Sequence, residues 1–243
     1  MKAIGILGGV GPSAGIDLAK KVFKHTKASK DQEHINMYMT SCPSLIPDRT
    51  EYLLNGGNNP APGMQECFDK LAQCGATAIG LCCNTAHSPK ILSQIKFPES
   101  AKFINMIDCT CQQISDTFGK AKIGLMATKG TTRTGIYAEY FAKYPNLELV
   151  TAGPETIEEI HKAIYDRTYG IKATAEVTEK VKSVLKNAVD ELKGKGCKAV
   201  ILGCTELPLA FPGQTEYNGV ALVDPTEVLA VNLIKATEPD KLI

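Results

Sequence analysis

Two cysteines in this 243-residue chain each close a stretch that repeats in outline. The first stretch runs Leu71-Ala-Gln-Cys-Gly75-Ala-Thr-Ala78-Ile-Gly-Leu-Cys-Cys83-Asn84-Thr85, and the second runs Leu192-Lys-Gly-Lys-Gly196-Cys-Lys-Ala199-Val-Ile-Leu-Gly-Cys204-Thr205-Glu206. Leucine, glycine, alanine and cysteine fall at matching offsets, which makes Cys83 and Cys204 equivalent members of two similar units. One free cysteine at a strand end reads as a small buried hydrophobe. A matched pair, each followed by hydrogen-bonding residues, reads as chemistry. A thiol whose pKa is brought toward the working pH can take or give a proton. Two of them suit a reaction that needs a base and an acid on opposite sides of one carbon. A helix start just after each cysteine is expected to lower the thiol pKa and to favour a bound carboxylate.

Other polar residues could serve such a reaction. Asp48-Arg49 lies in a proline-bearing loop, 41–50, where a guanidinium can grip a carboxylate through two parallel hydrogen bonds. Alone it reads equally as an exposed ion pair. Lys172 is a second cation on a loop between helices, and an ordinary solvated lysine is the plain reading of it. His87 stands four residues after Cys83, within reach of the base role in a Cys–His amidohydrolase. The second unit has Pro208 at the equivalent offset, which favours an orienting or structural role for His87. The loop Gly9-Val-Gly11-Pro-Ser-Ala14 fits the G-x-G-x-x-A pattern of dinucleotide sites. The next strand ends Met39-Thr40-Ser41-Cys42, without the acid that would hold a ribose, so these glycines are read as allowing close backbone approach.

The elements that must position these residues alternate between short apolar runs and amphipathic stretches, the pattern of an α/β fold with mostly parallel sheets flanked by helices. Strands are predicted at residues 3–7, 35–39, 77–81 and 103–105, and helices at 13–27, 63–73, 89–94 and 109–117. Lys122-Ile-Gly-Leu-Met126 then restarts the pattern of Ile4-Gly-Ile6, with helices at 135–142, 155–165 and 173–192 around a strand at 198–202. Two pseudo-symmetric domains are expected, residues 1–118 and 119–217. A last strand at 220–223 and a helix at 225–236, within a C-terminal return of residues 218–243, are expected to pack on the first. In parallel sheets ligands bind beyond the carboxyl ends of strands. Every motif above sits at such an end, so the active site is expected in a cleft between the domains.

Composition narrows the possibilities. Net charge near +1 gives no reason to expect nucleic acid or an anionic membrane as partner. No apolar run approaches the roughly 20 residues of a membrane span. The opening apolar run reads as a first strand rather than a leader, and a cytoplasmic protein is expected. Nine cysteines, an odd number without metal-ligand spacing, argue against both a disulfide framework and a zinc site.

Four segments together resemble the aspartate racemases of the aspartate/glutamate/hydantoin racemase superfamily. They are Ile4-Gly-Ile-Leu-Gly-Gly-Val-Gly-Pro12, Ile46-Pro-Asp-Arg-Thr50, Cys83-Asn-Thr-Ala-His87 and Leu202-Gly-Cys-Thr-Glu-Leu-Pro208. The resemblance implies an isomerase that needs no cofactor, pyridoxal phosphate included, and uses Cys83 and Cys204 as its catalytic pair. It implies Arg49 and Lys172 as the grip on a substrate side-chain carboxylate. Asn84, Thr85, Thr205 and Thr128 would line the α-carboxylate pocket. It further implies a small acidic amino acid as substrate and a homodimer. The loop before Pro47-Asp48-Arg49 is a residue longer than the usual run, and Asn55-Gly-Gly-Asn-Asn59 also departs from the family pattern. Both departures bear on which amino acid is used. Glutamate or a broader set of amino acids, a Cys–His amidohydrolase and a non-catalytic two-lobed binding protein are the alternatives.

Overall fold

A computed structural model describes residues 2–174 and 176–243. The chain forms two compact units, one comprising Met1–Cys109 with Thr226–Ile243 and the other Thr110–Pro225.

The first unit contains β1 (Ala3–Gly8), α1 (Pro12–Lys24), β2 (Asn36–Ser41), α2 (Arg49–Asn55), α3 (Ala61–Gln73), β3 (Ala78–Leu81), α4 (Pro89–Leu92) and β4 (Lys102–Ile104). Its four strands are all parallel, in the order β2-β1-β3-β4. All residues of β1 and β3 are buried, as expected of central strands covered on both faces, whose sequences are apolar without alternation. Each fully buried Ile or Leu of these strands contributes about 1.5–3 kcal/mol of transfer free energy. The helix α5 (Met106–Phe118) leads out of this unit.

The second unit contains β5 (Ala121–Met126), α6 (Lys129–Arg133), α7 (Ile136–Phe141), β6 (Leu147–Thr151), α8 (Pro154–Tyr165), α9 (Glu179–Gly194), β7 (Ala199–Leu202), β8 (Glu216–Tyr217) and β9 (Val220–Val223). The strand order is β6-β5-β7-β9-β8, parallel except for the short β8. The apolar segment 220–223, expected with the returning C-terminus, instead extends this second sheet by pairing Ala221 with Ala199. Only the helix that follows, α10 (Pro225–Thr237), joins the first unit. There Leu229 and Leu233 pack with Ile4, Ile6, Ala78 and Ile104. The helix predicted from Ala173 starts later, at Glu179, because Thr178 caps it by accepting from the Val181 N–H at 3.3 Å. Within the predicted range, Ala175 lies outside the described residues.

The sequence repeat has a structural cause. Gly75 and Gly196 follow α3 and α9 in the left-handed region, at φ +98° and +87°. In each case the glycine N–H donates to a carbonyl three residues back, at 2.9 Å to Ala72 and 2.8 Å to Lys193. The next N–H reaches back to the repeated leucine, at 3.0 Å for Ala76 to Leu71 and 3.2 Å for Cys197 to Leu192. This paired closure satisfies the last carbonyls of a helix and needs a residue without Cβ strain. Both chains then enter a strand in the same register, with Ala78 opposite Ile4 and Ala199 opposite Ile123. The strand ends also correspond. Cys82 N–H donates to Leu7 O at 3.4 Å, and Gly203 N–H donates to Met126 O at 2.8 Å.

Candidate active site

Each sheet reverses direction beside the repeated cysteine. From β1 the chain steps outward to β2 and then back across to β3; from β5 it steps to β6 and then back to β7. Loops diverge at such a switch point and leave a crevice at the carboxyl ends of the strands. Cys83 follows β3 there, next to the Gly9–Gly11 loop that follows β1. Cys204 follows β7 there, next to Thr128, which follows β5.

In the first unit Cys83 is 8% exposed and packs with Leu7, Val10, Ile46 and Ala86. Buried Asn84 opens a single 3-10 turn, Thr85–His87, and Thr85 is half-buried. His87 is fully buried, and its Nδ1 lies 2.8 Å from the carbonyl oxygen of Cys83. Nε2 accepts from the Met106 N–H at 3.2 Å, so Nδ1 carries the proton and donates it to Cys83. Burial pushes the ring pKa down to about 4, outweighing the bond to Cys83. Both ring nitrogens are thus committed to backbone, and His87 holds the Cys83 main chain rather than facing its sulfur. The base role that a Cys–His hydrolase would give it does not fit this geometry.

Arg49 is the first residue of α2, whose N-terminus is capped by Asp48 accepting from Glu51 N–H at 2.9 Å. Asp48 therefore serves the helix. The Arg49 guanidinium donates to Pro47 O at 3.3 Å and Val10 O at 3.4 Å, tying the proline-bearing loop to the glycine loop after β1. Buried Ile46 anchors the same loop in the apolar cluster around Cys83. α2 also packs on the turn Thr85–His87. Arg49, Asn84, Thr85 and Cys83 thus belong to one end of the first sheet.

The second unit brings together Thr128, Lys172, Cys204 and Thr205. Buried Thr128 caps α6 by accepting from Thr131 N–H at 3.2 Å. Cys204 is half-buried, and buried Thr205 follows it. Lys172 sits on the loop after α8, fixed by Ile171 N–H to Ala163 O at 2.9 Å and Lys172 N–H to Ile164 O at 3.1 Å. Its Nζ pairs with Oε1 of Glu206. The other oxygen of Glu206, Oε2, accepts from the Cys204 thiol at 2.9 Å and from Thr205 Oγ1 at 3.3 Å. Glu206 is only 6% exposed. Burial raises its pKa, but Lys172 and the Cys204 thiol outweigh that, and the carboxyl stays below its usual range.

Two expectations change here. Glu206 joins the site although the sequence reading leaves it out. Its signal is the break in the repeat, an acid two residues after Cys204 where Thr85 follows Cys83. The thiol pKa of Cys204 is also raised well above its ordinary value rather than lowered. Burial contributes most and the Glu206 carboxylate next, with Lys172 opposing both. The expected helix starts after the cysteines are single turns, Thr85–His87 and Leu207–Ala210, with little dipole to stabilise a thiolate.

The family model for Asp/Glu/hydantoin racemases matches residues 7–233 of the chain. The chain belongs to this family. Its members are isomerases that act on amino acids. An aspartate racemase from Picrophilus torridus shares the fold at TM-score 0.81 and 26% identity, over 97% of this chain and 94% of that one. A glutamate racemase from Bacillus anthracis aligns at TM-score 0.62 and 20% identity, over 96% of this chain and 80% of that one. In sequence, a glutamate racemase from Corynebacterium diphtheriae is 28% identical over 171 residues, or 69% of this chain and 60% of that protein. The two-unit α/β fold, with a parallel-dominated sheet in each unit, is that of these racemases. Among the described residues no helix is long and apolar enough to cross a membrane.

Proposed function

We propose that the chain is a cofactor-independent aspartate racemase in which Cys83 and Cys204 exchange protons with one α-carbon from opposite faces. The observation that carries this reading is the equivalence of the two cysteines, each five residues beyond an alanine held in the same register of its own sheet. One sulfur, as thiolate, removes the α-proton. The Cα–H electron pair stays on carbon as a carbanion delocalised into the carboxyl group. The other sulfur, as thiol, delivers its proton to the opposite face. A reversible reaction needs both arrangements, and two equivalent thiols supply them.

A positioned acid–base pair contributes about 10² to 10⁴ in rate, roughly 3 to 5 kcal/mol. Donors aimed at the carboxyl group must supply much of the remainder. We assign Asn84, Thr85, Thr128 and Thr205 to the α-carboxylate and Arg49 to the side-chain carboxylate. Lys172 shares its charge between Glu206 and the substrate. The likeness to an aspartate racemase over nearly both chains supports aspartate. Glutamate is the second reading, favoured by the glutamate racemase relative. We further propose a homodimer, as the family resemblance implies. A cytoplasmic location suits nine free thiols.

The test is incubation of each enantiomer of aspartate and glutamate in D₂O without added cofactor, with α-proton loss read by NMR and inversion by chiral chromatography. Deuterated mirror-image aspartate is expected from either enantiomer. Ammonia release, or an α-proton that persists, would overturn the reading.

A further inference from the structure

The two cysteines are equivalent in backbone but not in surroundings. Cys83 is followed by Asn84 and Thr85, which carry no charge. Cys204 meets a carboxylate of its own turn at 2.9 Å, and that carboxylate is held from the far side by Lys172. An ionised carboxylate only accepts hydrogen bonds. A sulfur at that distance is therefore a donor and carries its proton. We infer that Glu206 is a positioning residue that holds Cys204 as the protonated member of the pair, so that the resting enzyme starts turnover with Cys204 as acid.

The titratable groups beside Cys204 and Lys172 fit this assignment. Tyr137, on α7, is fully buried, and burial pushes its phenol well above its ordinary value, so it stays neutral. Tyr165, at the end of α8, lies under Lys172 with the ammonium 5.4 Å from its ring centroid. Lys172 supplies positive charge and Glu206 negative charge acting on Cys204, while the Asp224 carboxylate acts on the neighbouring Tyr137. With Cys204 protonated the Lys172–Glu206–Cys204 cluster is neutral; with Cys204 as thiolate it carries one negative charge. Both the Glu206 carboxylate and burial oppose the thiolate, and Lys172 opposes them. When Cys204 delivers its proton, the S–H bond breaks as the new C–H bond forms, and the pair left on sulfur faces Lys172. Lys172 thus limits the cost that Glu206 imposes and keeps the reverse step accessible.

The inference rests on the racemase reading for its catalytic meaning, but it can be measured without turnover. Full-length protein is alkylated with iodoacetamide across pH 6 to 11, and the Cys204 peptide is followed by mass spectrometry. Glu206→Gln is expected to move the alkylation midpoint of Cys204 down by about one unit or more, near a tenfold faster reaction below the midpoint. Lys172→Met is expected to move it up. An unchanged or raised midpoint in Glu206→Gln would overturn the inference, since a carboxylate that draws the proton off sulfur would give that result. If Glu206→Gln does not fold, Lys172→Met decides, and an unchanged or lowered midpoint would overturn the inference. Shifts of the expected sign in a protein that does not racemise would sink the racemase reading alone.

Discussion

His87 offers a test in which magnitude and sign follow from burial. Its ring is neutral in the folded protein with a pKa pushed down to about 4, against 6.5 for an exposed imidazole. Protonation would leave Nε2 a donor facing the Met106 N–H, which can only donate. Above pH 6.5 the ring is neutral in both folded and unfolded chains, and the titration has no effect on stability. As pH falls below 6.5 the unfolded chain takes up a proton that the folded chain refuses, so stability is lost until the folded group titrates near pH 4. The shift predicts a loss of about 2 kcal/mol by pH 5 and about 3 kcal/mol by pH 4. That is a large share of a typical 5–15 kcal/mol. Urea unfolding at pH 7.5, 6, 5 and 4.5 would compare the wild type with His87→Gln. The variant starts less stable because the Cys83 carbonyl loses its partner, but its stability should fall less steeply with acid. Half-buried His161, also held below its ordinary value by burial, titrates in the same direction but in both proteins, so the comparison isolates His87. Parallel curves would refute the reasoning, as would an NMR titration placing His87 near 6.5.

Two further substitutions probe the first unit. On the proposed assignment, Arg49→Ala removes a charge-assisted grip of about 1.5–3 kcal/mol. It should lower kcat/KM for aspartate about 10- to 100-fold, with little change for alanine, which has no side-chain carboxylate; equal losses for both amino acids would count against the assignment. Gly63→Ala would drive a Cβ into the backbone oxygen of Leu45, in the turn that leads to Arg49. Displacing that turn should destabilise by about 1–3 kcal/mol and raise KM for aspartate, whereas an unchanged thermal midpoint would mean that the loop does not rest on α3.

Much of this architecture is legible in the sequence because the relevant signals are local. Uninterrupted apolar runs mark β1, β3 and β7, and β5 is apolar after Lys122, while the repeated leucine and glycine record a helix-ending hydrogen-bond pattern that glycine alone enters without strain. The half-exposed edge strand β6 is harder to read, since Leu147-Glu-Leu-Val-Thr151 lacks clean alternation. The membership of Val220–Val223 in the second sheet depends on pairing with a strand about twenty residues earlier, which no local pattern encodes. In the site, the four-residue spacing brings His87 to Cys83, but not which atom it meets. The environment of Cys204 depends on Lys172, 32 residues upstream, reaching Glu206 from a different loop. Charge contacts of that range are set by tertiary packing, which no local sequence pattern records.

The central claim is that both sulfurs move the α-proton, and single replacements test it most directly. Cys83→Ser and Cys204→Ser differ from wild type by one atom each, and a serine hydroxyl is a far weaker acid than a thiol. Each variant, matched to wild type by circular dichroism and thermal unfolding, would be assayed for conversion of both aspartate enantiomers by chiral chromatography. The expected result is loss of at least about 10³-fold in kcat for each variant, in both directions, in line with removal of half of an acid–base pair. Turnover within tenfold of wild type in either folded variant would contradict the account.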